Sequence, residues 1–560
     1  MMKQKTFLLL VVVIVGLVSI TGFLWFVFRP TTDATAVVES TETITPPIQP
    51  TTLIPDTPTP EIQYPLPSEI SGTVIELDTG KQMPGALVQI QGKPQRAIAD
   101  QAGFFQLTGL EGLLAPVTIT AWSDGHFVGW TTLDPAAENY DPTQPVQITI
   151  KPLYQTDNLS YDWFDFEGVE GSASCGLCHR EYAEWSADAH SQAAINPRFI
   201  SIYRGTDING NESQPVRLGS EGAPLPPDPA LPYYGAGYRL DNPLRAGNCA
   251  TCHTPIASKI ANTNNCGWSG CHTDLTAERA TQVDYGVLSY PLSGDAAEGI
   301  TCDFCHKVGA VTLNPETSLP YQDMPGILSL RLYRPDEGAQ VFFGTVLDVP
   351  RRVSVLPLQT ESAYCAACHY GVFGGVVGHG QVSGGTLIYN SYGEWLDSPY
   401  SDPENGMTCQ DCHMRVSDAN YFVFPEKGGL ERDYVDLHDH RMPGAADVKF
   451  LQNAVSMSTS AAHEGDQLNI EVNLTNDRTG HHIPTDAPTR QMILVVEAFD
   501  ANGNPLTLSA GPVLPDYAGD LANTPGKSFA KVLRDEWSGE APTAAYWRPV
   551  TIIEDTRLAA

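Results

Sequence analysis

The twelve cysteines of the chain fall into six short motifs, and a histidine follows the last cysteine of each. Five motifs read Cys-x-x-Cys-His, and the third has four residues between its cysteines. Two thiols about one helical turn apart can each add to a vinyl group of one haem, and the next imidazole then becomes the proximal iron ligand. The cysteines are Cys175, Cys178, Cys249, Cys252, Cys266, Cys271, Cys302, Cys305, Cys365, Cys368, Cys409 and Cys412. The histidines are His179, His253, His272, His306, His369 and His413.

Zinc and disulfide chemistry explain this pattern less well. Zinc sites also use Cys-x-x-Cys pairs, but they do not require a histidine after the second cysteine. A disulfide framework does not require one either. Because the six sites use every cysteine, the sequence predicts six covalently bound haem c groups. No catalytic residue is predicted beyond them.

Further histidines are candidates for the second axial position of the irons. A six-coordinate haem passes electrons, whereas a five-coordinate haem leaves its iron open to substrate. His379 lies in a glycine-rich loop, where a ligand role accounts for a lone histidine. His438 or His440 is a second candidate, and His481 or His482 is a third.

The N-terminus predicts the compartment. Residues 7–28 form an uncharged apolar run preceded by Lys3 and Lys5. A run of this length is enough for a transmembrane helix, and lysines favour the cytoplasmic side. We therefore expect a cytoplasmic tip over residues 1–6, a transmembrane anchor over 7–28 and the bulk of the chain on the extracytoplasmic side of the cell membrane.

The rest of the chain divides by composition. Its 560 residues are enough for several domains. Residues 29–67 are a Thr/Pro-rich linker, and residues 68–153 and 456–560 show the short alternating strands of β-sandwiches. Residues 154–455 hold all the cysteines and little periodic pattern, which predicts a haem-packed domain of short helices and loops. The formal net charge of −33 argues against nucleic-acid binding.

Two parts of the sequence resemble known families. Residues 68–153 resemble the carboxypeptidase-regulatory-like sandwich, through Gly85-Ala86, Asp100-x-x-Gly103-x-Phe105 and Asp124-Gly125. Residues from about 170 to the end resemble the extracytoplasmic multihaem cytochromes c. The segments that carry this second resemblance are residues 175–190, 392–400, 406–414, 480–485 and 555–557.

The cytochrome resemblance implies that His190 and His440 are distal ligands. Asp486 departs from the pattern, because a glycine is usual at that place. Family members also run on for more strands where this chain has Ala560, so the last sandwich is expected to be incomplete.

These features favour an electron-transfer protein whose partners are other redox proteins, electron donors or acceptors, with the membrane contacted through the N-terminal helix. The alternative is an oxidoreductase that acts on a small inorganic nitrogen or sulfur compound at one open haem. A surface adhesion or scaffold role is the weakest hypothesis, because six haems are too many to be incidental. The sequence leaves the oligomeric state open.

Overall fold

A computed structural model describes residues 16–17 and 64–560 of the chain. The residues within 64–560 that it leaves undescribed are 139, 142–143, 155–156, 159–160, 162, 221–224, 243–248, 259–297, 337–339, 351, 379–380, 434 and 436.

The transmembrane helix predicted over residues 7–28 is not supported. In the part of the chain that the structure describes, no helix is both long enough and apolar enough to span a bilayer. The two described residues of this run, Gly16–Leu17 (β1), form a strand that pairs antiparallel with a C-terminal strand. The other residues of the run, the tip before it and the linker up to residue 63 lie outside the described residues. Hydropathy and length do not distinguish helix from strand, and the run is rich in valine and isoleucine, which favour strands.

Two sheets pack together in the N-terminal part. Strands β2 to β10 are Tyr64–Pro65, Glu69–Glu76, Leu87–Ile90, Arg96–Ile98, Phe104–Thr108, Leu114–Ala115, Val117–Trp122, Gly129–Leu133 and Val146–Ile150. One sheet has the order β10-β3-β6 and the other β5-β4-β8-β9, while β2 pairs with β7. The two sheets share one hydrophobic core, to which Val74 and Phe105 contribute from the first and Val88 and Ile119 from the second. Every second residue of β6 is buried, as expected for a strand with one face on a core.

The region that contains the motifs is built from helices of four to eight residues. Helices α1 to α11 are Ser172–Gly176, Glu181–Ser186, Pro197–Arg204, Tyr238–Asp241, Cys249–His253, Pro255–Ser258, Cys302–Cys305, Ala363–Ala366, Ser391–Leu396, Cys409–His413 and Val448–Gln452. The 3-10 helices are Gly326–Ser329, Pro357–Thr360, Pro399–Ser401 and Pro425–Lys427 here, and Asp516–Leu521 further on.

The same region also holds four two-stranded sheets, which the sequence did not predict. Strands β11 to β18 are Val308–Val311, Leu330–Leu332, Phe342–Gly344, Val353–Val355, Gly371–Phe373, Val376–Gly378, Gln381–Ser383 and Thr386–Tyr389. They pair as β11-β12, β13-β14, β15-β18 and β16-β17. Strands of three or four residues are too short to show the alternation by which strands are recognised in a sequence. The predicted fold class is therefore corrected to a chain of mostly small sheets with few, short helices.

The C-terminal part consists of a hairpin and a sheet. Strands β19 to β23 are Ser456–Glu464, Gln467–Thr475, Gln491–Val495, Gly526–Asp535 and Val550–Asp555. The hairpin is β19-β20, and the sheet has the order β1-β21-β22-β23. Val472 and Leu474 of the hairpin pack on Met492 and Phe529 of the sheet. This part touches the motif region at Arg548, whose guanidinium binds Asp241 at 2.6 Å.

Candidate haem sites

Each described motif lies on a short helix or directly after one, which sets the spacing of its cysteines. In α7 the side chain of Thr301 caps the helix by accepting from the backbone N–H of Phe304. In α10 Thr408 and Asp411 form a capping box. A helix that begins at the first cysteine places the second cysteine one turn later on the same face, as two thioether bonds to one haem require.

Among the residues that the structure describes, three pairs of histidine rings lie close together, and each pair includes a residue of the motif region. The ring centroids of His190 and His369 are 6.2 Å apart. Those of His306 and His440 are 6.4 Å apart. Those of His413 and His481 are also 6.4 Å apart. Each pair joins one motif histidine to one of the distal candidates.

This spacing fits an iron held between two imidazoles. A ligating imidazole nitrogen lies about 2.0–2.1 Å from a first-row metal, and the ring centroid lies about 1.1 Å behind that nitrogen, so the two centroids are expected about 6.3 Å apart. All three measured distances agree with this value within about 0.1 Å.

The Nδ1 atoms of the paired rings hydrogen-bond to the surrounding protein. His306 and His413 donate to the carbonyls of Phe343 and Pro443. His440 and His481 donate to the carbonyls of His438 and His482, at 3.0 and 3.1 Å. A hydrogen bond at Nδ1 fixes the tautomer and leaves Nε2 as the metal-binding nitrogen.

The first pair has carboxylates at Nδ1 instead of carbonyls. His190 Nδ1 lies 2.6 Å from Asp188 Oδ1, and His369 Nδ1 lies 3.5 Å from Asp486 Oδ2. Burial alone would lower the pKa of His369, but the hydrogen bond to Asp486 and its charge raise that pKa overall.

Partial burial favours the neutral form of four motif imidazoles and of His440. It lowers the pKa of His179, His413 and His440 to about 4. It also lowers the pKa of His253 and His306. A neutral imidazole is the form that ligates a metal.

Cysteines of different motifs lie side by side. The thiol of Cys175 lies beside that of Cys302, which lowers the pKa of Cys175. Cys252 contacts Cys368 in the same way, and Cys365 contacts Cys409. Tyr364 directly precedes Cys365 in the chain, and its hydroxyl donates to the Cys305 carbonyl at 2.8 Å. The fifth motif, residues 365–369, therefore adjoins the second, fourth and sixth motifs.

Two of these contacts between motifs are held by the same local arrangement of residues. The segment Ser-Ala-x-Cys occurs at Ser172–Cys175 and again at Ser362–Cys365. The Ser172 hydroxyl accepts from the backbone N–H of Cys302 at 3.1 Å, and the Ser362 hydroxyl accepts from that of Cys409 at 2.9 Å. Each serine thus holds the start of a second motif helix against its own motif.

Two tryptophans hold the same pairs of motifs together in an equivalent way. The segment Tyr-x-Glu-Trp occurs at Tyr182–Trp185 and at Tyr392–Trp395. The Trp185 indole donates to the Ile300 carbonyl at 2.8 Å, and the Trp395 indole donates to the Met407 carbonyl at 2.9 Å. Each of these carbonyls lies two residues before a motif cysteine. The first and fourth motifs thus form one module, and the fifth and sixth form a second module of the same design.

The glutamate of each Tyr-x-Glu-Trp segment holds a loop that carries a distal candidate. Glu184 accepts from the backbone N–H of His440 at 2.9 Å. Glu394 accepts from the backbone N–H of His482 at 3.0 Å and pairs with Arg557 at 2.8 Å. Sequence reasoning did not assign these roles, although the repeated segment could have revealed them.

Some predicted site residues are not brought together. Among the described residues, no histidine ring faces His179 or His253 at the spacing of the three pairs. His253 instead stacks on Phe199, with centroids 3.9 Å apart. His438 has its Nδ1 3.0 Å from the Met414 carbonyl. The third motif, Cys266, Cys271 and His272, and the loop residue His379 lie outside the described residues.

A zinc centre would need three or four protein ligands. Within the described ranges, no group of three or more His, Cys, Asp or Glu residues could hold a metal ion. A haem iron needs only two from the protein, because the macrocycle supplies four.

Comparisons with known proteins give a similarity to solved structures and none to protein families. No protein-family model matches the chain, and no curated protein matches it. A solved structure, the penta-heme cytochrome c552 from Thermochromatium tepidum, is similar at 18% sequence identity with a TM-score of 0.43. The match covers 70% of this chain and 84% of that chain.

Proposed function

We propose that the chain is a multihaem c-type cytochrome that transfers electrons through closely spaced haems, six in number. The observation that carries this proposal is the spacing of the three histidine pairs, at 6.2, 6.4 and 6.4 Å. Two ligands of one iron must keep that distance, and each pair joins a motif histidine to a histidine that the sequence predicts as a distal candidate. Haem iron supplies reversible one-electron chemistry when it is bound.

In this proposal the protein attaches the haems, ligates their irons and orients the ligating imidazoles. The twelve thiols would attach the haems, and the six motif histidines would ligate the irons. His190, His440 and His481 would supply the second protein ligand for the irons held by His369, His306 and His413. The Nδ1 hydrogen bonds hold these imidazoles in the tautomer and orientation that ligation needs.

The contacts between motifs support a continuous path. The first motif adjoins the fourth, the fourth adjoins the fifth, and the fifth adjoins both the second and the sixth. Groups attached at adjoining motifs lie close together, so electrons need not cross long stretches of protein. The path branches at the fifth motif. Because the chain is strongly acidic, we expect its redox partners to present basic surfaces.

A spectroscopic experiment separates the carrier from an enzyme. The oxidised protein is purified from a host that matures c-type cytochromes, its haem is quantified as the pyridine haemochrome, and its electron paramagnetic resonance (EPR) spectrum is recorded. We expect six haems per chain and low-spin signals from the three bis-histidine sites. Replacing Cys266 and Cys271 together with alanine should lower the count to five. If the same host attaches haem to a control c-type cytochrome but this chain holds no covalent haem, the proposal is overturned.

The oxidoreductase alternative has one observation in its favour. His179 and His253 face no second histidine within the described part of the chain, so their irons are the candidates for an open coordination site. A high-spin EPR signal that changes when nitrite, hydroxylamine or sulfite is added would favour the enzyme. An entirely low-spin spectrum that does not change would favour the carrier.

We also propose that the haem region matures on the extracytoplasmic side. The reason is that haem attachment to such thiols is an export-side process in the family that the sequence resembles. Cell fractionation should find the haem-loaded protein outside the cytoplasm. A soluble, haem-free chain in the cytosol would contradict this.

A further inference from the structure

The three histidine pairs differ in what their Nδ1 atoms bind. In two pairs, all four imidazoles donate to backbone carbonyls. In the pair of His190 and His369, both imidazoles face carboxylates, those of Asp188 and Asp486. A carboxylate is a stronger acceptor than a carbonyl, so it draws the Nδ1 proton more strongly and makes Nε2 a stronger electron donor.

Asp188 is held in place for this contact. Its side chain is 4% exposed, and its Oδ1 lies 2.6 Å from His190 Nδ1. The same oxygen accepts from the backbone N–H of His190 at 2.9 Å. The carboxylate therefore fixes both the backbone and the ring of this histidine.

Asp486 is also buried and held by several donors. Its Oδ1 accepts from the backbone N–H groups of Asn390 and Ser391, both at 3.0 Å. Its Oδ2 accepts from the Ser391 hydroxyl at 2.6 Å and faces His369 Nδ1 at 3.5 Å. These donors favour the charged carboxylate, so a negative charge is kept beside the imidazole.

The backbone at Asp486 gives a second, independent reason to assign it a role. Its φ is 59°, in the left-handed region that favours glycine. A glycine would adopt this conformation without strain, yet the chain has an aspartate whose side chain reaches a haem-motif histidine. Aspartate adopts this conformation more readily than most non-glycine residues, and here its carboxylate is placed beside His369.

We propose that Asp188 and Asp486 are positioning residues that give the iron between His190 and His369 the lowest reduction potential of the three bis-histidine sites. This inference rests on the proposed function. A stronger donor at both axial positions stabilises the ferric state over the ferrous state, and the two nearby negative charges act in the same direction. The site belongs to the fifth motif, where the path branches. Electrons that move between the branches would therefore pass through this site, but they would be held more stably at the sites of the adjoining motifs.

The spectrum offers a way to recognise this site. Its imidazole planes are 60° apart, whereas those of the other two pairs are 24° and 20° apart. The angle between axial imidazole planes governs the anisotropy of a low-spin ferric signal, so this site should give the most anisotropic of the three signals. Its potential can then be followed by EPR-monitored redox titration of the whole protein.

The test compares Asp486→Asn and Asp188→Asn with the unchanged protein. Asparagine keeps the shape of the side chain and tolerates the left-handed conformation, but it removes the charge. The most anisotropic signal should titrate at a higher potential in each variant, and the other two should not move. Asp486→Gly, which suits the backbone, should give the same upward shift. Asp348→Asn is the matched control, because Asp348 is buried in an ion pair with Arg432 and contacts none of the six paired rings.

The outcomes separate this inference from the proposed function. A protein without covalent haem would refute the proposed function. Six haems with an unmoved potential in both asparagine variants, or equal shifts in the Asp348→Asn control, would overturn the role of the two carboxylates. If Asp486→Asn fails to fold, Asp188→Asn decides the question, because it leaves the Asp486 contacts untouched.

Discussion

The imidazole rings of His413 and His481 lie nearly parallel, with centroids 6.4 Å apart and planes 20° apart, although they come from the motif region and from the C-terminal part. Glu394 holds the His481 loop by accepting from the backbone N–H of the next residue. Because His481 faces a motif histidine, replacing it with alanine should convert one low-spin site to high-spin and leave the haem count at six. The EPR spectrum of the oxidised variant measures this.

His482 provides the control for that change. Its Nδ1 lies 3.4 Å from Glu394 and not beside a motif histidine. His482→Ala should therefore keep the low-spin spectrum. If His482→Ala gained the high-spin signal and His481→Ala did not, the assignment of the ligand would be reversed.

The choice between His438 and His440 can be decided in the same way. The His440 ring faces His306, whereas His438 Nδ1 bonds to the Met414 carbonyl. We expect His440→Ala to produce one high-spin site and His438→Ala to produce none in the His306 pair. Conversion of the His306 site from low-spin to high-spin in the His438→Ala variant would contradict this.

Arg548 ties the C-terminal sheet to the motif region through two buried carboxylates. Its guanidinium lies 2.6 Å from both Asp241 and Asp535, and its side chain is 4% exposed. Arg548→Met leaves both buried carboxylates without a counter-charge, although Trp547 still donates to Asp241 and Ser538 to Asp535, and should lower the free energy of unfolding by about 3–5 kcal/mol. Urea denaturation followed by circular dichroism measures the change.

Arg534 is a matched control for this substitution. It lies near the end of β22 and pairs at 3.1 Å with Glu536, the first residue after that strand, but both side chains are more than a third exposed. Arg534→Met should leave the free energy of unfolding nearly unchanged, because an exposed ion pair contributes little. Equal losses of unfolding free energy in the two variants would show that the burial of the Arg548 ion pairs does not determine their contribution to stability.

Lys531 should make the stability depend on pH. Burial lowers the pKa of Lys531 to about 8, and its ammonium donates to the Ile388 carbonyl. An unfolded lysine titrates near pH 10.4, so between about pH 8 and 10 the unfolded chain binds more protons than the folded chain. The free energy of unfolding should therefore gain a contribution that rises with pH in this window, by at most about 1.4 kcal/mol per pH unit.

Lys531→Met should remove that contribution. The unfolding free energy of the unchanged protein minus that of the variant, measured by urea denaturation from pH 7 to 10, should increase as the pH rises. A difference that stays constant across this range would mean that Lys531 is already neutral, or still charged, throughout.

The sequence was informative where chemistry depends on short spacing. The Cys-x-x-Cys-His motifs could be located because two thioether bonds and one iron bond require residues that adjoin along the chain. The partners of His306 and His413 are distant in sequence, so only candidates such as His440 and His481 could be named. Their assignment as ligands stays a prediction.

Other features could not be read, or were misread, for physical reasons. The contact of Cys175 with Cys302 depends on Ser172 and Trp185, which carry no chemical signature of their own. The short strands of the motif region show no periodicity. The length and apolar character of residues 7–28 and the lysines before them predict a transmembrane helix, but none of these features distinguishes a helix from a strand. Asp486 was noticed only as a departure from a family pattern, since its contact with His369 crosses from one part of the fold to another.

The most direct test is the intact mass of the purified chain under denaturing conditions, after expression in a host that matures c-type cytochromes. Thioether bonds survive denaturation, so the measured mass should equal that of the polypeptide plus six haem groups. A fully matured preparation whose mass is that of the polypeptide alone would contradict the assignment of the cysteine motifs as haem sites, and with it the proposed function.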